Sequence, residues 1–340
     1  MLHVKSRLPE GIFDCTEREL HALLGGPTLF HLPGRRKPPL FVTILLHGNE
    51  DSGWRALREI LRDSRDGELP RALSLLIGNT EAAAEGMRYL PDQRDFNRVW
   101  PGGGIVETGP EERMARQVVE EMKGMGVFAS VDIHNNTGAN PHYACLREFD
   151  NRTLHLAALF SRTVVCVRRP SNMQMEAFSS LCPAVTVECG RRGTGRGASH
   201  VREYVEACLH LAELPDHPLP DHDVDLFHTV ATVKVGTGIS FGFGKGPGAV
   251  VFRPDLDRLN FRELPAGTVL GESRLHLGEV LEVRDESGNE AGGSYFEMRG
   301  GGAPCHEGPF HAVDVHRRYR GGPARLPGLP YGTSRGRDSQ

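Results

Sequence analysis

Four side chains suited to metal or proton chemistry stand at the ends of apolar runs: His47 and Glu50 in HGNE, His134 in DIHNN, and Glu188 in VTVECG. A His and a Glu separated by two residues can turn onto one point from a loop. Imidazole nitrogen and carboxylate oxygen both suit Zn²⁺, and three protein ligands leave a further position for water. An HxxE by itself is a common incidental pattern, and His134 taken alone could be a histidine merely satisfied at a strand end. Asp132, two residues before His134, shares its face of the strand and could orient a ligand from behind or pair with a neighbouring base. Glu188 closes an apolar strand, where a carboxylate is costly to bury without a partner. Near a metal it is well placed to take a proton from water; otherwise it is a strand-end glutamate in solvent. Three strand ends that each deliver a competent side chain are far less expected by accident than any one of them.

These residues need a frame that brings the strand ends together. From about residue 40 to 215, continuous apolar runs alternate with amphipathic ones. Residues 40–46, 71–77, 127–133, 163–167 and 184–187 read as strands, several of them apolar throughout, as expected of strands buried on both faces. Helices are expected at 52–62, 110–123, 154–160 and 199–214, with Pro110 near the first turn of the second. This alternation implies an α/β sandwich around a largely parallel or mixed sheet, and open sheets of this kind place ligand sites at the carboxyl ends of their strands.

Near residue 214 the composition shifts to LPDHPLPDHD, a linker-like stretch. Short strand-like pieces follow at 229–235, 249–252, 280–283 and 295–298, separated by Gly and Pro. The expected organisation is an α/β domain over 1–215, a small β-rich domain over 224–320 and a mobile tail over 321–340. A formal charge of −4 gives no global reason to expect a nucleic-acid partner. No run of about 18 apolar residues is present, so no membrane span is expected. The N-terminal stretch lacks the apolar core of a signal peptide. Seven scattered cysteines without a CxxC pair read as reduced thiols, which points to a cytoplasmic protein.

The motifs carry a resemblance. HGNE at 47–50, GNTEAAAEGMRYL at 78–90, RDFNRVWPG at 94–102, DIHNN at 132–136 and VTVECG at 185–190 together resemble the succinylglutamate desuccinylase and aspartoacylase branch of the zinc carboxypeptidase superfamily. The resemblance covers roughly residues 40–215 and implies a zinc-carboxypeptidase-like sandwich with a mixed central sheet flanked by helices. It implies one Zn²⁺ per chain on His47, Glu50 and His134, with Glu188 as general base and then general acid. Arg88 would polarise the scissile carbonyl, and Asn97 and Arg98 would grip a substrate carboxylate, for which a planar guanidinium is suited. Tyr295, in SYFEM, resembles a tyrosine that the C-terminal domain lends to the substrate pocket, or else is an aromatic packing in that small domain.

The chain also departs from the pattern. Pro91 to Arg94 lengthens the connection before the Asn-Arg pair, and Phe96 stands where the family usually has Leu. The arginine that aspartoacylases carry for a second substrate carboxylate is absent near Phe178, which argues against N-acetylaspartate. Arg168, Arg169, Arg191 and Arg192 could supply replacement charge. The activity implied is hydrolysis of an N-acyl amino acid or a related small carboxylate. A carboxypeptidase acting on short peptides and a non-catalytic small-molecule binder on the same fold are the alternatives. Self-association into a homo-oligomer is left open.

Overall fold

The computed structural model describes residues 1–298 other than 66, 103–107, 194 and 221, and the backbone of a strand at Gly308–Ala312. A nine-stranded mixed sheet forms its centre. In chain order the strands are β1 (His3–Lys5), β2 (Thr28–Leu32), β3 (Leu40–Ile44), β4 (Leu73–Ile77), β5 (Ala129–Asn136), β6 (Tyr143–Leu146), β7 (Thr163–Cys166), β8 (Ala184–Arg191) and β9 (Asp225–His228). Their spatial order is β1-β2-β4-β3-β5-β8-β6-β7-β9. The β2–β4 and β6–β8 pairs are antiparallel and the rest parallel.

Helices cover both faces, which is why the central strands are apolar on each side. One face carries α1 (Leu20–Leu24), α2 (Ser52–Asp63), α5 (Asn151–Phe160) and α7 (Gly195–His210), packed on Val42, Ile44, Val131, Ile133, Val185 and Val187. The other carries α4 (Pro110–Met125) and α6 (Gln174–Ser179), whose Met114, Val118, Met122 and Phe178 pack with Phe41, Leu76 and Ala184. Local chemistry sets the helix starts. Pro110 occupies the first turn of α4, Asp150 caps α5 through the Thr153 amide, and Asn79 caps the short α3 (Thr80–Glu85) through that of Ala82.

The expected division at residue 215 is not where the central sheet ends. After the linker the chain returns to add β9 beside β7, so residues 225–228 belong to the large sheet. The remaining strands form smaller sheets: β10 (Ala231–Val235) pairs with β14 (Leu281–Asp285), while β11 (Phe241–Phe243), β12 (Val250–Phe252), β13 (Thr268–Ser273), β15 (Phe296–Met298) and β16 (Gly308–Ala312) form a five-stranded sheet. These carry a separate core built on Val250, Phe252, Leu270, Val280, Val283 and Phe296. The tail expected over 321–340 lies outside the described residues. No described helix is long and apolar enough to cross a membrane. The six described cysteines are all free thiols.

Candidate active site

The site begins where β3 stops. The apolar run continues to Leu46, but the strand ends at Ile44 because Leu45 takes a left-handed φ of 54°. For a buried leucine this conformation is costly, of order 1–3 kcal/mol, and it persists only where its surroundings enforce it. Here the Leu45 carbonyl accepts from the Asn79 amide at 2.6 Å and the side chain is fully buried. The turn sends His47 to Glu50 across the sheet's carboxyl edge instead of along β3. Gly48 is required for this path, since a Cβ there would lie 2.2 Å from the Ala83 nitrogen on α3. Its own amide donates to the Arg88 carbonyl at 3.0 Å, tying the loop to the segment after α3.

His134 arrives from the adjacent strand end. His47 Nδ1 lies 2.8 Å from Glu50 Oε1, His134 Nδ1 lies 2.8 Å from Glu50 Oε2, and the two Nδ1 atoms are 3.1 Å apart. All three side chains are buried, and their ligand-capable atoms lie within 4.8 Å of one another. Glu50 Oε2 also accepts from the Asn135 amide at 3.0 Å. The Asn135 side chain bridges Ser52 at the start of α2 and the Gly190 carbonyl on β8, holding three segments in place.

A carboxylate stands behind each imidazole. Asp132 Oδ2 is 2.8 Å from His134 Nε2 and Asp95 Oδ1 is 3.0 Å from His47 Nε2. Asp132 is fully buried and accepts from the Thr43 hydroxyl at 2.5 Å. Such partners hold the ring proton on Nε2 and leave Nδ1 as an acceptor. Two imidazole lone pairs and a carboxylate then converge with no hydrogen-bond donor between them. Burial alone would lower the pKa of His134, yet the charges of Asp132 and Glu50 push it well above the usual value. Burial would raise that of Glu50, but the two histidines bring it down to about 2. Both shifts reflect how closely the imidazoles and carboxylates approach one another, and the donor set of two imidazoles and a carboxylate fits Zn²⁺.

Glu188 pairs with His134 in the β5–β8 register and points to the same face. Its Oε2 is enclosed and makes no hydrogen bond among the described residues. Burial raises its pKa to about 6, more than the nearby histidines lower it. A carboxylate kept basic and unpartnered beside a cation site can accept and return a proton.

A cavity of about 620 Å³ opens over these groups and is also lined by Arg88, Asn97, Arg98, Met173, Met175 and Arg192. Arg88 is half-exposed, 3.6 Å from Glu50 and 3.1 Å from Asp95. Arg98 is half-buried and faces the same cavity. Asn97 is turned inward. Its amide nitrogen lies 3.2 Å from His134 Nε2 and 3.4 Å from Asp132 Oδ2, while its oxygen accepts from the Gln174 amide at 3.0 Å. Asn97 thus lines the cavity from a buried position beside His134 and Asp132, and Arg98 lines it from a half-buried one.

Tyr295 is not brought to the cavity over His134. It ends a one-turn helix just before β15, where Phe296 is buried in the C-terminal core, and it lines a neighbouring cavity. Phe178 stacks on Phe41 at 4.6 Å in the core, so that position offers the site no charge. Arg168 and Arg169 are drawn off to the 286–287 turn, whereas Arg191 and Arg192 line the cavity. Arg191 is held by Asp257 at 2.6 Å. Asp95 is the partner that reading the sequence overlooked. It sits in an aperiodic loop, and its signals are a carboxylate set among Arg88, Arg94 and Arg98 and its place in the RDFNRVWPG stretch.

The catalytic domain of the Succinylglutamate desuccinylase/Aspartoacylase family matches residues 37–211, just over half of the chain. The chain belongs to the succinylglutamate desuccinylase/aspartoacylase family. The matched span includes every residue of the His47, Glu50, His134 and Glu188 cluster. A succinylglutamate desuccinylase from Yersinia pestis (strain Pestoides F) is 31% identical over 100 residues, which is 29% of this chain and only 28% of that relative's length. Among solved structures, a succinylglutamate desuccinylase/aspartoacylase from Rhodobacter sphaeroides is similar with a TM-score of 0.52 at 14% identity, covering 86% of this chain and 89% of that one. The product-bound ectoine utilization protein from Ruegeria pomeroyi gives a TM-score of 0.52 at 16% identity, over 86% and 84% of the two chains. At such identities the structural likenesses establish the shared family fold, including its β-rich C-terminal part.

Proposed function

We propose that this family member is a zinc-dependent amidohydrolase that cleaves the amide bond of an N-acyl amino acid or a related small carboxylate. The convergence of His47 Nδ1, His134 Nδ1 and Glu50 without a donor between them carries this reading. His47, Glu50 and His134 would hold the ion, which when bound supplies Lewis acidity at the scissile carbonyl. Arg98 binds the substrate carboxylate, with Asn97 fixing the wall beside it. Glu188 takes a proton from the attacking water and returns it to the departing amine nitrogen. Arg88 sets positive charge beside the oxygen on which negative charge develops. Asp95 and Asp132 hold the two imidazoles in the tautomer and orientation the site requires.

The test is a panel of N-acyl amino acids assayed beside short peptides, using protein purified with its own metal and then reconstituted with zinc. Hydrolysis of acyl amino acids over peptides is expected. Preference for peptides would instead indicate a carboxypeptidase, and bound zinc with no hydrolysis of either class would indicate a binding protein.

Two further outcomes follow from the carboxylates. Asp95→Asn keeps the shape but removes the charge behind His47, so zinc affinity should fall by about 10- to 100-fold. Competition against a fluorescent chelator measures this, and unchanged affinity would remove Asp95 from the account. Protonated Glu188 cannot accept a proton, so kcat/KM should decline as the medium is acidified. Burial places its pKa at about 6, and a divalent cation beside it draws that value down. The acid limb is therefore expected at or below pH 6. A limb still rising above about pH 7 would count against Glu188 as the base.

A further inference from the structure

The sheet register carries the site sideways into a second cavity. On the face opposite α2, α5 and α7, Asp132, Thr186, Cys145, Val165 and Phe227 stand in register across β5, β8, β6, β7 and β9. One step along the strands, His134, Glu188 and Tyr143 form a parallel row. Within two strands the floor changes from proton-carrying groups to apolar ones. There a cavity of about 430 Å³ opens, lined by Val165, Phe227, Val233, Phe261, Tyr295 and Phe296 among others. It shares Cys145 and Val167 with the cavity over His134 and Glu188, so the two adjoin across these side chains. Among the described residues no Asp, Glu, Lys or Arg lines it; its Asn140 and Asn260 hydrogen-bond to each other, and His228 is paired with Glu286 at 2.7 Å.

The roof comes from the C-terminal part of the chain. Phe261 takes a left-handed φ of 58°, which a bulky side chain adopts only when its surroundings enforce it. Its ring meets Tyr143 at 4.8 Å and Phe227 at 5.5 Å, closing the cavity over the strand floor. The Arg88 guanidinium lies on the opposite side of the cluster. It contacts Glu50 and Asp95, and Asp95 contacts His47, so this cation stands toward β3 while the apolar cavity stands toward β7 and β9.

We propose that the second cavity is the acyl subsite and that the substrate's acyl group is bulky and apolar, an alkyl or aryl chain rather than acetyl or a dicarboxylic acyl group. The inference rests on the amidohydrolase reading and deepens it. With the amino-acid carboxylate at Arg98 and the scissile carbon beside Glu188, the remaining substituent on that carbon points away from Arg98, toward β6 and β7. In the reaction, the oxygen of water bonds to the acyl carbon and the C–N bond breaks. One proton of the water passes through Glu188 to the amine nitrogen. The products are an apolar carboxylic acid and a free amino acid.

The test holds the amino acid constant and varies the acyl group from acetyl through butanoyl and hexanoyl to phenylacetyl. In the unaltered holoenzyme kcat/KM should rise by about threefold per added methylene, so that hexanoyl exceeds acetyl by roughly 50- to 100-fold. Val165→Trp and, on another strand, Ala231→Phe each fill the cavity and should bring that ratio close to one. The two variants guard against either one misfolding, which melting curves would reveal. A flat or falling series with acetyl substrates cleaved overturns the acyl subsite and leaves the amidohydrolase reading standing. If nothing is hydrolysed, the amidohydrolase reading fails and calorimetric binding of the same compounds decides the cavity's role. Affinity that grows with chain length and is lost in Val165→Trp supports an apolar subsite, and affinity independent of chain length overturns it.

Discussion

Glu188→Gln is expected to lower kcat by about 10²- to 10⁴-fold while leaving the zinc content and the fold intact. The substitution keeps the volume and removes only the ability to accept a proton. Glu188 Oε2 makes no hydrogen bond among the described residues, so no partner is orphaned by the change. Burial already disfavours the ionised form, which argues against a loss of stability on neutralising it. Melting temperature should hold or rise slightly while turnover collapses. Steady-state kinetics, metal analysis and a melting curve on one preparation check all three. Turnover within about threefold of the unaltered protein would show that another group moves the proton.

His134→Ala should act in the opposite pattern, losing the metal first and activity as a consequence. It removes one of three ligand atoms and leaves the other two short of a stable zinc site. It also strips Asp132 of its ring partner. That carboxylate is fully buried, and among the described residues Thr43 and Asn97 are its remaining hydrogen-bond contacts. A loss of roughly 1–3 kcal/mol in stability is expected from the unmet buried charge alone. Elemental analysis should find well under one zinc per chain, with hydrolysis near background. Retention of stoichiometric zinc would place the ion elsewhere. The contrast between the two variants separates metal binding from proton transfer, since one loses turnover with zinc present and the other loses both.

How much of this was legible in the sequence depended on the kind of residue. His47, Glu50, His134 and Glu188 stood out because each follows an apolar strand, and buried strands announce their ends. Asp132 was visible for the same reason, two positions from His134 on the same face. Asp95 was not, because it reaches His47 from an aperiodic loop whose path only folding determines. Asn97 was expected at the substrate and lines the cavity, while its contacts with His134, Asp132 and Gln174 depend on α6 packing beside β5. The seven-residue apolar run from Leu40 hid the break at Leu45, since a left-handed leucine leaves no trace in composition. Short strands such as β6 and β9 were missed because four residues show too little alternation to read. Their absence from the sequence reading concealed the floor of the second cavity and the return of residues 225–228 to the large sheet.

The proposed metal centre is tested most directly by diffraction from the zinc-loaded protein, with data collected on both sides of the zinc absorption edge. A single strong anomalous peak about 2.0–2.1 Å from His47 Nδ1 and His134 Nδ1, with a Glu50 oxygen completing the protein ligands, is the expected result. A peak that avoids these three residues, or none in protein that still hydrolyses its substrate, would contradict the account.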